Sequence, residues 1–378
     1  MKYRDFGKLG IKGSAFGLGC MRFNGPAKGD SIIDEDKAIS LIRRAIDGGV
    51  TYIDTAYVYL DKTSETVLGK ALLDGYRDKV TIATKMPIEA VKNREDMEKL
   101  LDEELHKLQT DHIDFYLMHG IDKNKWEQFK AIGAPEFFDD MKKEGKIRFK
   151  CFSFHGPYED FEYIINDSDW DMVQIQYNFM DEENQAGTKG LKLAGEKNIP
   201  VVIMEGLLGG RLAKAPDNVQ ALYDAFPVKR SAVEWAFRWL CNHPEVATVL
   251  SGCNEADQID ENLRIFDTVD SNIMTADELA LIENVKKAYK DRTKIGCTGC
   301  RYCMPCPMGV AIPSIFAAWN EWSLYNANPK ENWGFNEFVL KQGGDIDKCV
   351  ECGACEKACP QHLQIRAKLK EAWQDMGL

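Results

Sequence analysis

Two short runs of cysteine near the end of the chain constrain its fold more than any other feature of the sequence. Eight of the twelve cysteines lie in the last quarter of the 378 residues, and each run is followed by proline. The first run is Cys297, Cys300, Cys303 and Cys306, and the second is Cys349, Cys352, Cys355 and Cys359. In both runs the first three cysteines recur every third residue, a step that arranges three thiolates around one side of an iron–sulfur cubane. The end of the chain is therefore predicted to fold around [4Fe–4S] clusters.

The second run has the spacing by which bacterial-type ferredoxins bind such clusters, and in those proteins the fourth cysteine of each run binds the cluster of the other run. By this rule one cluster would be bound by Cys297, Cys300, Cys303 and Cys359, and the other by Cys349, Cys352, Cys355 and Cys306. The first run departs from the spacing, because two residues rather than three separate Cys303 from Cys306. The tighter loop leaves two alternatives open: Cys306 binds the cluster of its own run, or one run binds no metal.

Zinc and disulfide bonds are the other interpretations of these cysteines. A structural zinc site more naturally uses two separated pairs of cysteines, and a cytosolic chain keeps its thiols reduced. The ligand spacing therefore favours two [4Fe–4S] clusters. Four other cysteines stand in apolar surroundings and are predicted to be core residues: Cys20, Cys151, Cys241 and Cys253.

The composition indicates an ordinary soluble protein that avoids acidic partners. A net charge of −12 and a pI near 5.2 disfavour binding to nucleic acid or to an anionic membrane. The sequence has no apolar stretch long enough for a membrane helix. Its first residues lack an apolar secretion segment, so a cytoplasmic location is expected.

Short apolar runs alternate with amphipathic segments from residue 1 to about 285, which is typical of repeated β–α units. The predicted strands are 16–20, 50–55, 80–85, 113–119, 149–153, 172–178, 200–205 and 246–251. Predicted helices include 36–47, 232–241 and 312–325. Eight units fit a (β/α)8 TIM barrel over residues 1–288, followed by a small, mainly helical, ferredoxin-like iron–sulfur domain over residues 289–378. An open doubly wound sheet is the alternative, and the lack of a G-x-G-x-x-G loop disfavours it.

Polar residues occur at the carboxyl ends of six predicted strands, where the active site of a barrel is built. They are Asp54, Lys85, His119, Ser153, Gln176 and Glu205. Six polar strand ends on one rim predict a functional site.

The pattern Asp54-Thr55-Ala56-x-x-Tyr59, with Lys85 and His119 at later strand ends, resembles the aldo/keto reductase family. Gly17-Leu18-Gly19, Ser64-Glu65, Leu68-Gly69, Gly145-Lys146-Ile147-Arg148, Gln176-Tyr177-Asn178 and Glu261-Asn262-Leu263 add to the resemblance, which spans roughly residues 3–285. It implies an NAD(P)-dependent oxidoreductase that reduces an aldehyde or ketone, a small-molecule carbonyl substrate.

The resemblance also implies a catalytic tetrad of Asp54, Tyr59, Lys85 and His119. A carbonyl that accepts a hydride develops negative charge on oxygen, so it needs a proton donor. Tyr59 would be that donor, and the Lys85 ammonium would lower the pKa of its phenol. Asp54 would hold Lys85 in place, and His119 would orient the carbonyl. The alternative is that Asp54 and Lys85 form a structural ion pair.

The resemblance further implies that Ser153 and Gln176 hold the nicotinamide carboxamide, while loop 206–211 and segment 251–262 take the pyrophosphate and adenosine. The predicted nucleotide contacts are Asp54, Ser153, Gln176, Met204, Leu207, Gly209, Arg211, Ser251, Gln258 and Asn262. The chain departs from the family at Phe154 and Met204, which fall where the nicotinamide is expected. Gly252 and Gln258 stand where basic residues often bind a 2′-phosphate, so the choice between NADP(H) and NAD(H) stays open.

A barrel that moves hydrides does not couple directly to clusters that move single electrons, unless a group such as flavin splits the electron pair. No flavin motif is present. One interpretation is a self-sufficient reductase with structural or regulatory clusters. A second is a ferredoxin-linked oxidoreductase, in which a ferredoxin or other redox protein feeds electrons through the clusters to a cofactor in the barrel. A third is a non-catalytic redox sensor, which the complete tetrad disfavours.

Overall fold

The computed structural model describes residues 1–23 and 33–378, which divide into two compact units. The first unit comprises Met1–Gly209 and Val233–Thr275. The second comprises Gly210–Ala232 and Ala276–Leu378. The domain boundary predicted after residue 288 stays a prediction.

The first unit contains a closed barrel of eight parallel strands, as the sequence predicted. In chain order the barrel strands are β3 (Phe16–Gly19), β4 (Tyr52–Asp54), β5 (Thr81–Met86), β6 (Ile113–Ile121), β7 (Ile147–Phe154), β8 (Met172–Gln176), β9 (Val201–Met204) and β10 (Val246–Ser251). Each strand pairs with the next along the chain, and β10 closes the barrel by pairing with β3. A two-stranded antiparallel hairpin, β1 (Tyr3–Asp5) and β2 (Lys12–Ser14), precedes the barrel and was not predicted.

The interior of the barrel changes from apolar to polar along the strands. Its apolar layer is formed by Phe6, Tyr52, Ala83, Phe115, Leu117, Cys151, Met172, Val202 and Ala247. Strand side chains alternate between the two faces of a sheet, so the second residue after each of these faces inward again. On five strands that residue is polar: Asp54, Lys85, His119, Ser153 and Gln174. A polar layer therefore lies on top of the apolar one, near the carboxyl ends of the strands.

Helices connect the barrel strands. They are α1 (Glu35–Asp47), α2 (Ser64–Ala71), α3 (Arg94–Leu108), α4 (Lys123–Ala131), α5 (Ala134–Lys143), α6 (Tyr158–Asp167), α7 (Gly187–Glu196), α9 (Ala232–Cys241) and α10 (Ala256–Phe266). The predicted first helix is confirmed: the Asp34 carboxylate caps α1 by accepting from the Lys37 amide, and the apolar face of α1, including Ile42 and Ile46, is buried. None of the helices described in residues 1–23 and 33–378 is long and apolar enough to cross a membrane.

The second unit is helical and holds both cysteine runs. Its helices are α8 (Asp217–Ala225), α11 (Ala276–Lys290), α12 (Ile312–Tyr325), α13 (Ala354–Ala358) and α14 (Ile365–Asp375), with a π-helical segment at Phe335–Lys341. The predicted helix 312–325 coincides with α12. Its Trp319 is fully buried in an apolar cluster that also includes Phe316 and Leu369. This core packs beside the cysteines, six of which contribute to it or pack against it.

Candidate active site and cysteine-lined cavities

The structure brings the four predicted tetrad residues together at the carboxyl ends of β4, β5 and β6. The Lys85 ammonium lies 2.6 Å from Asp54 Oδ1 and also donates to the Thr55 carbonyl at 2.6 Å. The same ammonium lies 3.3 Å from the Tyr59 hydroxyl. The His119 ring meets the Tyr59 ring edge-on, with 5.9 Å between centroids. These contacts form a continuous chain from carboxylate to ammonium to phenol, with an imidazole beside the phenol.

The pKa values of Lys85 and Tyr59 are set by their burial and by the charged groups beside them. Burial lowers the pKa of Lys85, but Asp54 and Tyr59 together raise it further, so the ammonium stays charged. Burial raises the pKa of Tyr59, and Lys85 opposes this without cancelling it. Lys85 does lower the pKa of Tyr59, as predicted, but burial raises it by more, so the net pKa lies above its ordinary value. The phenol accordingly keeps its proton at neutral pH.

His119 is held in its neutral form. Burial lowers its pKa to about 3, and the positive charge of Lys85 acts in the same direction. A neutral imidazole carries one N–H donor and one acceptor nitrogen. It can therefore donate a hydrogen bond to a carbonyl oxygen without adding a charge.

We expect His119 to remain neutral between pH 5 and pH 8, because its pKa of about 3 lies below this window. The test is an NMR titration of histidine ring signals, with the His119 signal assigned by its loss in His119→Gln. The prediction fails if that signal moves with a midpoint near the ordinary histidine pKa of about 6.5.

Three acceptor atoms in the polar layer are buried without a hydrogen-bond partner in the described residues. They are Asp54 Oδ2, Gln174 Oε1 and Gln176 Oε1. An unmatched buried acceptor costs roughly 1–3 kcal/mol, and a bound carboxamide or hydroxyl group can remove that cost by donating to it. The barrel mouth therefore has the donor–acceptor chemistry that a nicotinamide nucleotide requires.

Gln174 is a candidate that the sequence analysis missed. It is the register partner of Ser153 on the neighbouring strand β7, and its amide donates to the Met204 sulfur at 3.7 Å. Ser153 accepts a hydrogen bond from the Gly120 amide at 2.8 Å and keeps its own hydroxyl proton available. The predicted Gln176 lies two residues further along β8 than Gln174, and its side-chain amide donates to the Asp181 carboxylate at 2.9 Å.

Phe154 does not face the barrel interior. Its ring packs on Phe161 of α6 at 5.2 Å between centroids, on the outer side of β7. The expectation that Phe154 falls at the nicotinamide position is therefore wrong, because the residue after the inward-facing Ser153 must face outward. Met204 does lie on the inner side, half-buried beside Gln174.

The remaining predicted nucleotide contacts fall into three places. Asn262 on α10 donates to the Ser251 hydroxyl at 3.1 Å, and the Asn254 amide donates to Gln258 at 3.0 Å, so these residues gather after β10. Leu207 and Gly209 lie in the loop that follows β9, where Gly209 adopts a positive φ of 66°. Arg211 belongs to the second unit, in which it forms an ion pair with Glu321 at 2.9 Å.

Two cavities in the second unit are lined by cysteine. The first, here the Cys306 cavity, has a volume of about 190 Å³ and is lined by Cys303, Cys306, Cys349, Cys352 and Cys355. The second, here the Cys359 cavity, has a volume of about 20 Å³ and is lined by Cys297, Cys300, Cys303 and Cys359. Each cavity thus combines the first three cysteines of one run with the fourth cysteine of the other, and Cys303 lines both cavities.

The cysteines surround these cavities without converging on one point. In the part of the chain that the structure describes, no group of three or more His, Cys, Asp or Glu side chains could hold a single metal ion. A four-iron cluster has no such requirement, because each of its four cysteine thiolates binds a separate iron. Each cavity is lined by the four cysteines that a cubane cluster requires. The four cysteines outside the runs are all buried, as predicted.

Comparison with known proteins gives matches for both parts of the chain. The sequence model described as "Aldo/keto reductase family" matches residues 15–285. The model described as "4Fe-4S dicluster domain" matches residues 296–363.

Individual relatives agree with these matches. The chain is 26% identical over 331 residues to the uncharacterized oxidoreductase YqkF of Bacillus subtilis, covering 78% of this chain and 97% of that protein. It is 37% identical over 190 residues to the aldo-keto reductase YhdN of the same organism, covering 44% of this chain and 57% of that protein. Among solved structures, the aldo-keto reductase AKR11C1 from Bacillus halodurans in its holo form superposes with a TM-score of 0.64 at 27% identity, covering 76% of this chain and 97% of that one.

Proposed function

This chain belongs to the aldo/keto reductase family, and we propose that it reduces the carbonyl group of an aldehyde or ketone with NAD(P)H as the hydride donor. Family membership makes it an NAD(P)-dependent oxidoreductase. The observation that carries the proposal is the buried chain of contacts from Asp54 through Lys85 to the Tyr59 hydroxyl, with neutral His119 beside it.

Each residue of this chain of contacts has a task in carbonyl reduction. The Tyr59 phenol, which keeps its proton at neutral pH, would donate that proton to the carbonyl oxygen as negative charge develops there. Lys85 would stabilise the phenolate left behind, and Asp54 fixes the ammonium at 2.6 Å. Neutral His119 would donate a hydrogen bond to the same carbonyl oxygen and orient it.

A bound nicotinamide nucleotide would supply the hydride, and this chain offers three groups to hold its carboxamide. The Ser153 hydroxyl can donate, while Gln174 Oε1 and Gln176 Oε1 are buried acceptors that need a donor. We retain Leu207, Gly209, Arg211, Ser251, Gln258 and Asn262 as proposed contacts for the rest of the nucleotide. Turnover measured with each nucleotide will distinguish NADPH from NADH.

The direct test is turnover under anaerobic conditions. NADPH and then NADH are mixed with the purified protein and a panel of aldehydes and ketones, and loss of the reduced nucleotide is followed by absorbance. We expect nucleotide consumption that depends on the carbonyl compound and yields the matching alcohol. A reduced nucleotide that is bound but never consumed with any carbonyl compound would favour the sensor interpretation.

We expect Gln174→Leu to weaken nicotinamide nucleotide binding by roughly tenfold. The substitution removes one buried hydrogen-bond acceptor at similar volume, worth about 1–2 kcal/mol. Isothermal titration of the nucleotide, without carbonyl substrate, measures the change in Kd.

Gln176→Leu is the matched comparison, because both glutamines carry an unpaired buried Oε1 on β8. If Gln176→Leu weakens nucleotide binding more than Gln174→Leu does, the carboxamide is assigned to Gln176, the residue that the sequence pattern selected. Equal nucleotide affinities in the wild type and both variants would show that neither glutamine of β8 binds the carboxamide.

We further propose that the second unit binds two [4Fe–4S] clusters with crossed ligation. The support is that Cys306 lines the cavity of the second run, while Cys359 lines the cavity of the first. The family match to a 4Fe-4S dicluster domain covers both runs. Each thiolate would bind one iron, and the clusters would carry single electrons.

Electron exchange with a partner protein is the second candidate function, and one surface favours it. Tyr302, Met308 and Val350 line the Cys306 cavity and are 71%, 42% and 61% exposed. Large apolar side chains grouped at the surface are typical of docking sites. Anaerobic titration with NADPH tests the link to the barrel: bleaching of the cluster absorbance would indicate electron exchange and prompt a search for a bound flavin, and an unchanged band would indicate independent clusters.

A further inference from the structure

Arg366 is the charged side chain that is fixed most firmly at the wall of the Cys306 cavity. It lies at the start of α14 and lines the cavity. Its Nη1 donates to the Glu351 carbonyl at 3.1 Å, and its Nη2 donates to the Glu356 carboxylate at 2.8 Å. The Arg366 backbone amide also donates to Glu356, at 2.9 Å. The guanidinium is therefore held at both of its outer nitrogens.

The third nitrogen of Arg366 has no such partner. Nε is buried and makes no hydrogen bond to any residue that the structure describes. The guanidinium lies against Gly353, between Cys352 and Cys355: a Cβ built on Gly353 would stand 3.8 Å from Arg366 Cζ and 4.0 Å from Nε. Gly353 itself has a positive φ of 73°, so the chain turns at this point and brings its backbone up to the guanidinium.

A buried N–H without an acceptor is unfavourable by roughly 1–3 kcal/mol. Glu356 and the Glu351 carbonyl already occupy the outer nitrogens, and Arg366 lines the cavity, so a group bound in the cavity is a candidate acceptor for Nε. Cys352 and Cys355 line the same cavity on either side of Gly353, and a bound cluster adds further sulfur atoms. Sulfur atoms of thiolates and of clusters accept hydrogen bonds, and such bonds are among the factors that set the reduction potential of a cluster.

We propose that Arg366 donates its Nε hydrogen to a sulfur of the cluster in the Cys306 cavity and gives this cluster the higher reduction potential of the two. The inference rests on the proposed pair of clusters. Reduction adds one electron to a cluster and makes its sulfurs more negative, so a fixed donor and a nearby cation stabilise the reduced form. The first electron from a one-electron reductant therefore goes to the cluster in the Cys306 cavity.

The Cys359 cavity differs in its charged lining residue. Arg301 is exposed, and water screens an exposed charge. The Arg366 side chain is itself 40% exposed, so its charge is partly screened as well, and what distinguishes it is the buried Nε donor. Both cavities are otherwise bordered by buried apolar side chains, such as Phe316 at the Cys359 cavity and Leu369 at the Cys306 cavity, so this border does not separate the two clusters. The two clusters are therefore expected to differ in potential, although both have four cysteine ligands.

The test is a potentiometric titration with dithionite, followed by electron paramagnetic resonance on the full chain. In Arg366→Met, which removes the donor and the charge, we expect one midpoint potential to fall by about 59 mV, equivalent to a tenfold lower ratio of reduced to oxidised cluster at fixed potential. The second midpoint should not move. Arg366→Lys, which keeps the charge without the planar donor, should give a smaller fall.

Two further variants separate a local effect from general surface charge. Glu356→Gln removes the carboxylate that partly neutralises Arg366, so it should raise the same midpoint. Lys368→Gln removes a cation two residues further along α14, at a side chain that is 37% exposed and pairs with Glu371 outside both cavities, and should leave both midpoints unchanged. If Lys368→Gln lowers the potential as much as Arg366→Met, the effect is one of surface charge and the inference is wrong.

Iron content distinguishes the role of Arg366 from the presence of two clusters. Unchanged midpoints in an Arg366→Met protein that retains about eight irons, the content of two cubanes, overturn the role of Arg366 alone. If Arg366→Met loses iron, Glu356→Gln decides, and an unchanged midpoint there overturns the inference. A wild-type protein that binds fewer than two clusters contradicts the proposed pair of clusters instead.

Discussion

Replacing Tyr59 by phenylalanine is expected to lower kcat for NAD(P)H-dependent carbonyl reduction by about 10²–10⁴-fold. This is the contribution that a positioned proton donor makes in general acid catalysis. The phenol hydroxyl lies 3.3 Å from the charged Lys85 ammonium, and phenylalanine keeps the ring that meets His119 edge-on. Steady-state kinetics with one reactive aldehyde, measured anaerobically at saturating nucleotide, give the ratio. Nucleotide Kd and cluster absorbance should remain those of the wild type.

Tyr57→Phe is the matched control for this experiment. Tyr57 is buried two residues earlier, and its hydroxyl interacts with Glu103 and Lys62, outside the tetrad. The same chemical change there should leave kcat within about twofold, since it removes no group from the reacting chain. Equal activity of Tyr59→Phe and the wild type would contradict the assignment of Tyr59 as donor.

The raised pKa of Tyr59 also fixes the direction of the pH dependence. A donor must be protonated, and burial moves the pKa of this phenol above its ordinary value of about 10. The wild-type kcat for reduction should therefore not fall between pH 6 and pH 9 through loss of this proton. Neutral His119 adds no ionisation in the same window, because its pKa is about 3.

The sequence was sufficient to place Asp54, Lys85 and His119 at the barrel mouth because strand geometry and motif coincide there. Asp54, Lys85 and His119 each stand two residues after an apolar inward-facing residue, so the alternation of a strand carries them to the barrel mouth. All eight barrel strands were predicted because each is a short apolar run between turn residues and helices. The N-terminal hairpin was missed because three-residue strands give too short a pattern to detect.

How deeply a side chain is buried, and which residues it contacts, could not be predicted from the sequence. Gln174 and Gln176 both face inward on β8, and a linear pattern does not distinguish which of them lies beside Ser153; the register between β7 and β8 does. The net pKa of Tyr59 also depends on three-dimensional burial, which outweighs the charge of Lys85. Arg366 lies seven residues after the last cysteine of the second run, and nothing in the spacing indicates that the Arg366 guanidinium packs against Gly353.

Substitution of the fourth cysteine in either run is expected to damage the cluster of the opposite run. Cys306→Ala should remove or degrade the cluster in the Cys306 cavity, whose other ligands would be Cys349, Cys352 and Cys355. Cys359→Ala should do the same to the cluster beside Cys297 and Cys300. A [4Fe–4S] cluster is held by four cysteine thiolates, so each variant should contain fewer than about eight irons per chain, falling towards about four where the whole cluster is lost.

Iron content alone does not reveal the pairing, so the spectra decide it. The paramagnetic resonance signal lost in Cys306→Ala should be the one lost in Cys352→Ala, and the signal lost in Cys359→Ala should be the one lost in Cys300→Ala. Cys241→Ala, at a buried cysteine outside both runs, should retain about eight irons. If Cys306→Ala and Cys300→Ala lose the same signal, Cys306 binds the cluster of its own run, and the shortened Cys303–Cys306 gap has replaced crossed ligation with local ligation. Crossed ligation ties both runs to both clusters, so its confirmation would also predict that losing either cluster loosens the fold of the whole cysteine-containing region.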